Sequence, residues 1–290
     1  MNKKEKLKFF QKAREGGWAI GQFNVSNLET LMAIFHAAKI LKSPVIIGTS
    51  EGESKFIGLN QAVALVEAFR KETGISAFLN LDHGKTFEYI KEAAEAGYDF
   101  VHFDGSALPL KENIEIAKRV VKFCEEKEVL VEGEVGSIGG SSEILEKNPE
   151  TSEADLTKPE EAKKFIEETG VFSLAISIGN NHGVDASGKS PNLDLKRLQE
   201  IKNAVGDNVF LVLHGGSGVP DSDITQAIKI GVSKININTE LRSAFTSNLK
   251  EILSKSGREV APYKYMPEVI EAVQEIVESK IKLFNSLNKI

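Results

Sequence analysis

The chain has 290 residues, of which 41% are hydrophobic and 27% charged, and its 36 Lys and Arg against 42 Asp and Glu give a net charge of −6. The acidic balance excludes general binding of nucleic acid, whose phosphate backbone needs a basic face, and the apolar runs, such as Phe210–Leu213, are strand-sized rather than membrane-spanning. The lone cysteine, Cys124, excludes an intrachain disulfide and any cysteine-rich metal site.

In chain order, Met1-Asn2-Lys3-Lys4 opens a charged amphipathic stretch rather than the apolar core of a signal peptide, so a cytoplasmic location with no membrane partner is expected. Short β-rich runs follow at 19–25, 44–50, 77–82, 100–104, 129–135, 173–178, 209–213 and 234–238. Helical periodicity predicts helices between them at 28–41, 60–72, 86–95, 110–128, 159–168 and 193–205. Thr157-Lys158-Pro159-Glu160 reads as a helix start, and Gly97, Gly170 and Gly231 as left-handed helix ends. Strand–helix alternation implies right-handed crossovers and a parallel sheet. Eight units favour an α/β fold of the (β/α)8 TIM-barrel type over an open sheet. Residues 137–158 are polar, carry Gly139-Gly140 and read as a loop over the barrel mouth. Residues 263–288 read as an extra C-terminal helical tail for packing or dimerisation, and one domain over residues 1–290 is expected.

Nearly every strand ends in functional groups: Asn24, Ser50, Asp82-His83, Asp104 with Ser106, Glu134, Asn181-His182, His214, and Asn236 with Asn238. Strand C-terminal ends converge on one mouth in a barrel, where the active site sits. His83, His182 and His214 each precede a glycine after the third, sixth and seventh strands, so three imidazoles at one mouth make an open, catalytic-type Zn²⁺ site. His36 and His102 read as structural. Asp82 is either a general acid/base at the metal or an orienting group. Asp104 and Glu134 either orient the imidazoles or touch a metal in an alternate position. Glu132 points to the same side as Glu134, and its role stays open.

The segment Leu213-His214-Gly215-Gly216-Ser217-Gly218 and, one unit later, Asn236-Ile237-Asn238-Thr239 follow the seventh and eighth strands. That is the usual phosphate site of a barrel, served by glycine amides and hydroxyls. A Schiff-base enzyme needs a lysine at a strand's mouth end; Lys234 sits at the wrong end of its strand and Lys85 reads as loop. The residues therefore imply a metal-dependent barrel acting on a phosphorylated small molecule.

The motifs Gly21-Gln22-Phe23-Asn24, Leu81-Asp82-His83-Gly84, Phe103-Asp104-Gly105-Ser106, Val131-Glu132-Gly133-Glu134-Val135-Gly136 and Asn236-Ile237-Asn238-Thr239-Glu240 resemble those of class II fructose-bisphosphate/tagatose-bisphosphate aldolases, in order and spacing. The resemblance implies reversible, zinc-dependent cleavage of fructose 1,6-bisphosphate to dihydroxyacetone phosphate and glyceraldehyde 3-phosphate, a step of glycolysis and gluconeogenesis. Tagatose 1,6-bisphosphate, or a ketose phosphate lacking the second phosphate, is the alternative substrate, and a non-catalytic phosphosugar-binding subunit the alternative role. By the same resemblance His83, His182 and His214 hold Zn²⁺, Asp82 exchanges a proton with the C4 oxygen, and Asp104 and Glu134 serve an alternate metal position. Gly183, Gly215, Gly216, Ser217, Asn236, Ile237, Asn238 and Thr239 bind dihydroxyacetone phosphate, and Asn24 and Ser50 line the pocket. A monovalent cation (Na⁺ or K⁺) near the phosphate loops and a homodimer or homotetramer are implied as well. Three features depart from the family pattern. Ser142 stands at the mobile loop's usual glutamate position, leaving Glu143 as the candidate proton shuttle; Ala261-Pro262-Tyr263-Lys264 stands where the family usually carries Asp-Pro-Arg; and Asn180-Asn181 replaces smaller residues, which is expected to reshape the pocket beside His182.

Overall fold

The computed structural model describes residues 3–255 and 257–290. Among them, α1 (Lys3–Glu15) precedes β1 (Ile20–Asn24), α2 (Leu28–Leu41), β2 (Val45–Ser50), α3 (Glu51–Ile57) and α4 (Leu59–Thr73). Next come β3 (Ala77–Gly84), α5 (Phe87–Ala96), β4 (Phe100–Phe103), α6 (Leu110–Glu125) and β5 (Leu130–Val135). The second half contains β6 (Gly140–Leu145), α7 (Pro159–Thr169), β7 (Ser173–Ile176), β8 (His182–Asp185), α8 (Leu195–Val205) and β9 (Phe210–Leu213). It ends with α9 (Asp221–Ile230), β10 (Val232–Ile237), α10 (Thr239–Lys255) and α11 (Pro262–Leu283). Eight parallel strands close in the order β1-β10-β9-β7-β5-β4-β3-β2, the expected (β/α)8 barrel. The tail helix α11 packs on α2 and α10, completing the outer ring.

The interior of the barrel is layered. Ile20, Ile46, Phe78, Phe100, Leu130 and Phe210 form an apolar floor with Phe10 and Trp18. α1 closes that floor because its stripe Lys6, Phe10 and Ala13 follows helical spacing and is buried. The Phe10 ring sits 4.8 Å from Phe172 and 5.3 Å from Phe210, centroid to centroid. Above the floor lies a buried polar layer, with Gln22, Asn80, His102, Glu132 and Lys234. The mouth residues stand on that layer.

The structure corrects several expectations. Residues 137–158 are not all loop: β6 pairs in parallel with β8 in a small second sheet at the mouth. His182 opens β8 instead of ending a barrel strand. Thr157 does not cap α7; its hydroxyl donates to the Val135 carbonyl and accepts from the Ser177 amide. Lys234 lies inside the barrel, 2% exposed, rather than at a strand's outer end. The helices α3, α9 and α10 are additional to those expected; α3 begins at a Ser50/Glu53 capping box.

Candidate active site

Neighbouring residues in a strand face opposite ways, so Asp82 and His83 could not both face the mouth from a regular β3. The β3–β4 register shifts between Leu81 and Gly84, and His83 takes a left-handed φ of 53°. This bulge turns the His83 ring inward beside Asp82. A non-glycine residue there costs on the order of 1–3 kcal/mol. The His83 amide is held in that turn by donating to His102 Nδ1 at 3.2 Å.

Asp82 is 6% exposed. Its Oδ2 accepts from Asn24 Nδ2 at 2.9 Å and its Oδ1 from Asn236 Nδ2 at 3.1 Å. Burial pushes this carboxyl up, but the charges of His83, His214, His102 and Lys234 outweigh it and hold the group well below the usual carboxylate range.

The imidazoles form one cluster: the His83 ring lies 4.7 Å from both His182 and His214, and His182 lies 6.0 Å from His214. His83 Nδ1 bonds Asp104 Oδ2 at 2.8 Å, and His214 Nε2 bonds Glu132 Oε1 at 2.8 Å. The carboxylates only accept, so each takes one ring N–H and leaves the other nitrogen as a lone-pair donor. Those nitrogens, His83 Nε2 and His214 Nδ1, face each other at 3.0 Å. Two bare lone pairs repel unless a proton or a metal ion lies between them, and tetrahedral zinc with nitrogen ligands spaces them about 3.3 Å apart. The donor set thus fits a metal ion, with His182 completing three imidazoles. Burial, with the charges of His83 and His214, lowers His182 and keeps it neutral for ligation. Burial also lowers His214, with His83 and His102 adding to it against the Glu132 bond. His83 is the exception: burial opposes its charge, yet Asp82, the Asp104 bond and Glu134 raise it to about 9.

Asp104 and Glu134 both reach the cluster. Burial pushes Asp104 up, but the His83 bond and the charges of His102 and His83 hold it far below its usual range, with Lys85 adding a further bond. Glu134 Oε2 lies 3.9 Å from His83 Nδ1 and 3.3 Å from His102 Nε2, and neither Glu134 Oε2 nor His102 Nε2 has a hydrogen-bond partner. His102 therefore belongs to this cluster rather than to ordinary packing. Glu132 acquires a role too: besides His214 it binds Lys234 Nζ at 2.8 Å and Ser173 Oγ at 3.1 Å, locking the His214 tautomer. His102, Glu132 and Lys234 each stand two residues before a mouth residue, Asp104, Glu134 and Asn236. Period-two alternation was the sequence signal for them.

The cluster opens into a cavity of about 230 Å³ lined by Asn24, Ser50, Asp82, His83, His182 and Gly183, and across from them by Gly215, Ser217, Asn236, Asn238, Thr239 and Arg242, with Ser142 above. Thr239 is the first residue of α10, so the glycine segment and a helix N-terminus face the imidazoles across one small space. Gly215 has φ 62°, and a Cβ there would sit 2.1 Å from the Asn181 carbonyl oxygen; no other residue fits. The Gly216 amide is spent on the Asn236 carbonyl at 3.0 Å. The Ile237 side chain is fully buried in the core, so only its main chain faces the mouth.

Among the departures, Ser142 lines the cavity while Glu143 is exposed, with its carbonyl oxygen and that of Ser141 against Gly183. Lys264 pairs with Glu259 at 2.7 Å, and neither it nor Tyr263 lines the catalytic cavity. Asn180 and Asn181 do not line it either. Asn180 accepts from the Ile178 amide at 2.8 Å and donates to the His214 carbonyl at 3.0 Å, so it stitches two ligand-bearing loops together. The sequence reading missed Glu53 and Arg242, on α3 and α10. Arg242 Nη2 reaches Glu53 Oε1 at 2.6 Å, and its Nη1 reaches the Ser142 carbonyl at 3.0 Å.

Known proteins give the same picture over the full length. The family described as fructose-bisphosphate aldolase class-II matches residues 4–289. The crystal structure of the YdjI aldolase from Escherichia coli K12 is 32% identical, with TM-score 0.83 and 98% of each chain covered. That of the fructose-bisphosphate aldolase of Campylobacter jejuni is 25% identical, with TM-score 0.84, covering 100% of this chain and 97% of that one. A polar barrel mouth with clustered imidazoles, matched end to end by such relatives, leads to one assignment: the chain belongs to the class II fructose-bisphosphate aldolase family and is a carbon–carbon lyase.

Proposed function

We propose that this chain catalyses the reversible, zinc-dependent cleavage of fructose 1,6-bisphosphate to dihydroxyacetone phosphate and glyceraldehyde 3-phosphate. The observation that carries the reading is the placement of Asp82, three imidazoles and a glycine-lined helix N-terminus around one cavity of about 230 Å³. Phosphate at C1 is held by main-chain groups near Gly183 and Gly215, the Ser217 and Thr239 hydroxyls, and the α10 N-terminus. His83, His182 and His214 would hold Zn²⁺, which supplies Lewis-acid polarisation of the ketone and offsets the negative charge left as the bond breaks. Asp82, ionised and aimed by two amides, accepts the C4 hydroxyl proton as C3–C4 breaks and returns it in the condensation direction. Asn24 and Asn236 fix the direction of that transfer. Glu143, exposed in β6 next to the cavity-lining Ser142, would serve the carbon proton of dihydroxyacetone phosphate after a movement of the strand.

A second reading follows from Arg242. It is the one arginine or lysine lining the cavity among the described residues, and Glu53 already pairs with it. That pairing favours a ketose phosphate without the second phosphate. A coupled triose-phosphate assay with fructose 1,6-bisphosphate, tagatose 1,6-bisphosphate and fructose 1-phosphate separates the readings by kcat/KM. A preference for fructose 1,6-bisphosphate supports the first. A preference for the monophosphate moves the assignment to the second, and no cleavage of any ketose phosphate rejects both.

A further inference from the structure

Glu53 belongs to no motif that pointed to the site, yet it is 5% exposed and stands one residue away from the proton-transferring carboxylate. Its Oε2 accepts from the Ser50 amide at 2.8 Å and from Asn24 Nδ2 at 3.0 Å, and its Oε1 accepts from Arg242 Nη2 at 2.6 Å. Asn24 Nδ2 has two hydrogens. One goes to Glu53 and the other to Asp82 Oδ2 at 2.9 Å.

We propose that Glu53 is the positioning residue for Asp82, acting through the Asn24 amide, with Arg242 as the counter-charge paired with the buried Glu53. The inference rests on the retro-aldol reading above. An asparagine amide can turn over, presenting either its nitrogen or its oxygen to a neighbour. Two carboxylates on the same side can only accept, so Glu53 and Asp82 together force the nitrogen toward both. Without Glu53 the amide is held only by Asp82 and by Gln22, whose Nε2 donates to Asn24 Oδ1 at 3.1 Å, so one of the two donors that aim the Asp82 carboxylate is less firmly placed. The capping box at Ser50 explains only one of the three bonds Glu53 makes. An unpaired carboxylate this deep would be strongly destabilising, and Arg242 removes that penalty. Through the Ser142 carbonyl the same guanidinium also reaches β6, so α3, α10 and the strand at the cavity rim meet at one charge pair.

The reaction divides into halves that test this directly. Exchange of the dihydroxyacetone phosphate C3 proton with solvent uses the metal site and the phosphate loop but not Asp82. Breaking C3–C4 needs Asp82. Zinc-loaded Glu53→Met is expected to lower kcat for cleavage roughly 10- to 100-fold, the scale of a misplaced catalytic group, while deuterium exchange read by NMR stays within about twofold of wild type. Glu53→Gln, which keeps one carbonyl acceptor, is expected to fall between them. Zinc content is expected to equal wild type in both. Equal loss of exchange and cleavage would assign Glu53 a merely structural part, and unchanged cleavage would remove it from the mechanism. A wild-type protein inactive in both halves would overturn the retro-aldol reading instead. The crystal structure of Glu53→Met then decides the positioning claim alone: an Asn24 turned away from Asp82 supports it, and an unmoved Asn24 contradicts it.

Discussion

At the scale of single residues, the site is a set of side chains whose protons are assigned by their neighbours. Asp104 and Glu132 take one N–H each from His83 and His214, which turns the opposite nitrogens toward each other. Without metal, the proton of a His83 raised to about 9 bridges that gap. A zinc ion held there would have to displace it. The sign is definite: below about 9 the metal competes with a proton, so its apparent affinity rises with pH, about tenfold per unit where one proton is exchanged, and levels off above. Calorimetric zinc titration at pH 7 in buffers of different ionisation enthalpy is expected to show close to one proton released, and no buffer dependence would refute the bridge. Asp82→Asn is expected to keep full zinc content while cleavage falls about 10²- to 10⁴-fold, the usual span of general acid–base help. A loss below tenfold would give the C4 proton to another group. The mouth residues were legible because each ends an apolar run. Glu53 and Arg242 were not: each sits on a helix three residues past a mouth residue, Ser50 or Thr239, where nothing in the local pattern separates a buried charge from a solvated one.

At the scale of elements, the sequence showed the barrel strands because apolar runs bounded by polar ends survive any register. It concealed whatever depends on partners far along the chain. β6 is mostly exposed and polar, so only its pairing with β8 makes it a strand. α3 is a short helix of seven residues whose Ser50–Glu53 capping box was a readable start signal with too little periodicity behind it. The tail helix α11 was visible, but its reach was not. Lys280, 8% exposed, pairs with Glu240 Oε1 at 2.8 Å, and the same oxygen accepts the Gly218 amide at 2.8 Å. α11 thereby holds the glycine segment after β9 through Glu240. Lys280→Met leaves Glu240 without its partner and is expected to raise KM for the phosphorylated ketose roughly tenfold with a smaller change in kcat. An unchanged KM would mean the segment holds itself.

At the scale of the molecule, the barrel divides its work between its two ends. The floor is apolar and sealed by α1, while the middle and mouth are polar, so stability and chemistry draw on different residues. Phe10, 1% exposed among the rings of Phe100, Phe172 and Phe210, belongs to the floor cluster. Phe10→Ala is expected to lower unfolding free energy by about 3–5 kcal/mol, seen as a reduced urea midpoint, with zinc content and kcat/KM at 25 °C unchanged. Coupled loss of zinc would show that the floor supports the mouth. The polar middle layer explains why one sequence carries so many inward charges: Lys234 neutralises Glu132, and metal would complete the balance among His83, His102, Asp104 and Glu134.

The central question for this molecule is whether that mouth is a metal-dependent lyase site. The direct measurement is triose phosphate release from fructose 1,6-bisphosphate before chelation, after exhaustive EDTA treatment, and after titration back with zinc. Activity abolished by the chelator and restored in proportion to zinc, saturating near one ion per chain, is the expected result. Cleavage that persists in the metal-free protein would contradict it.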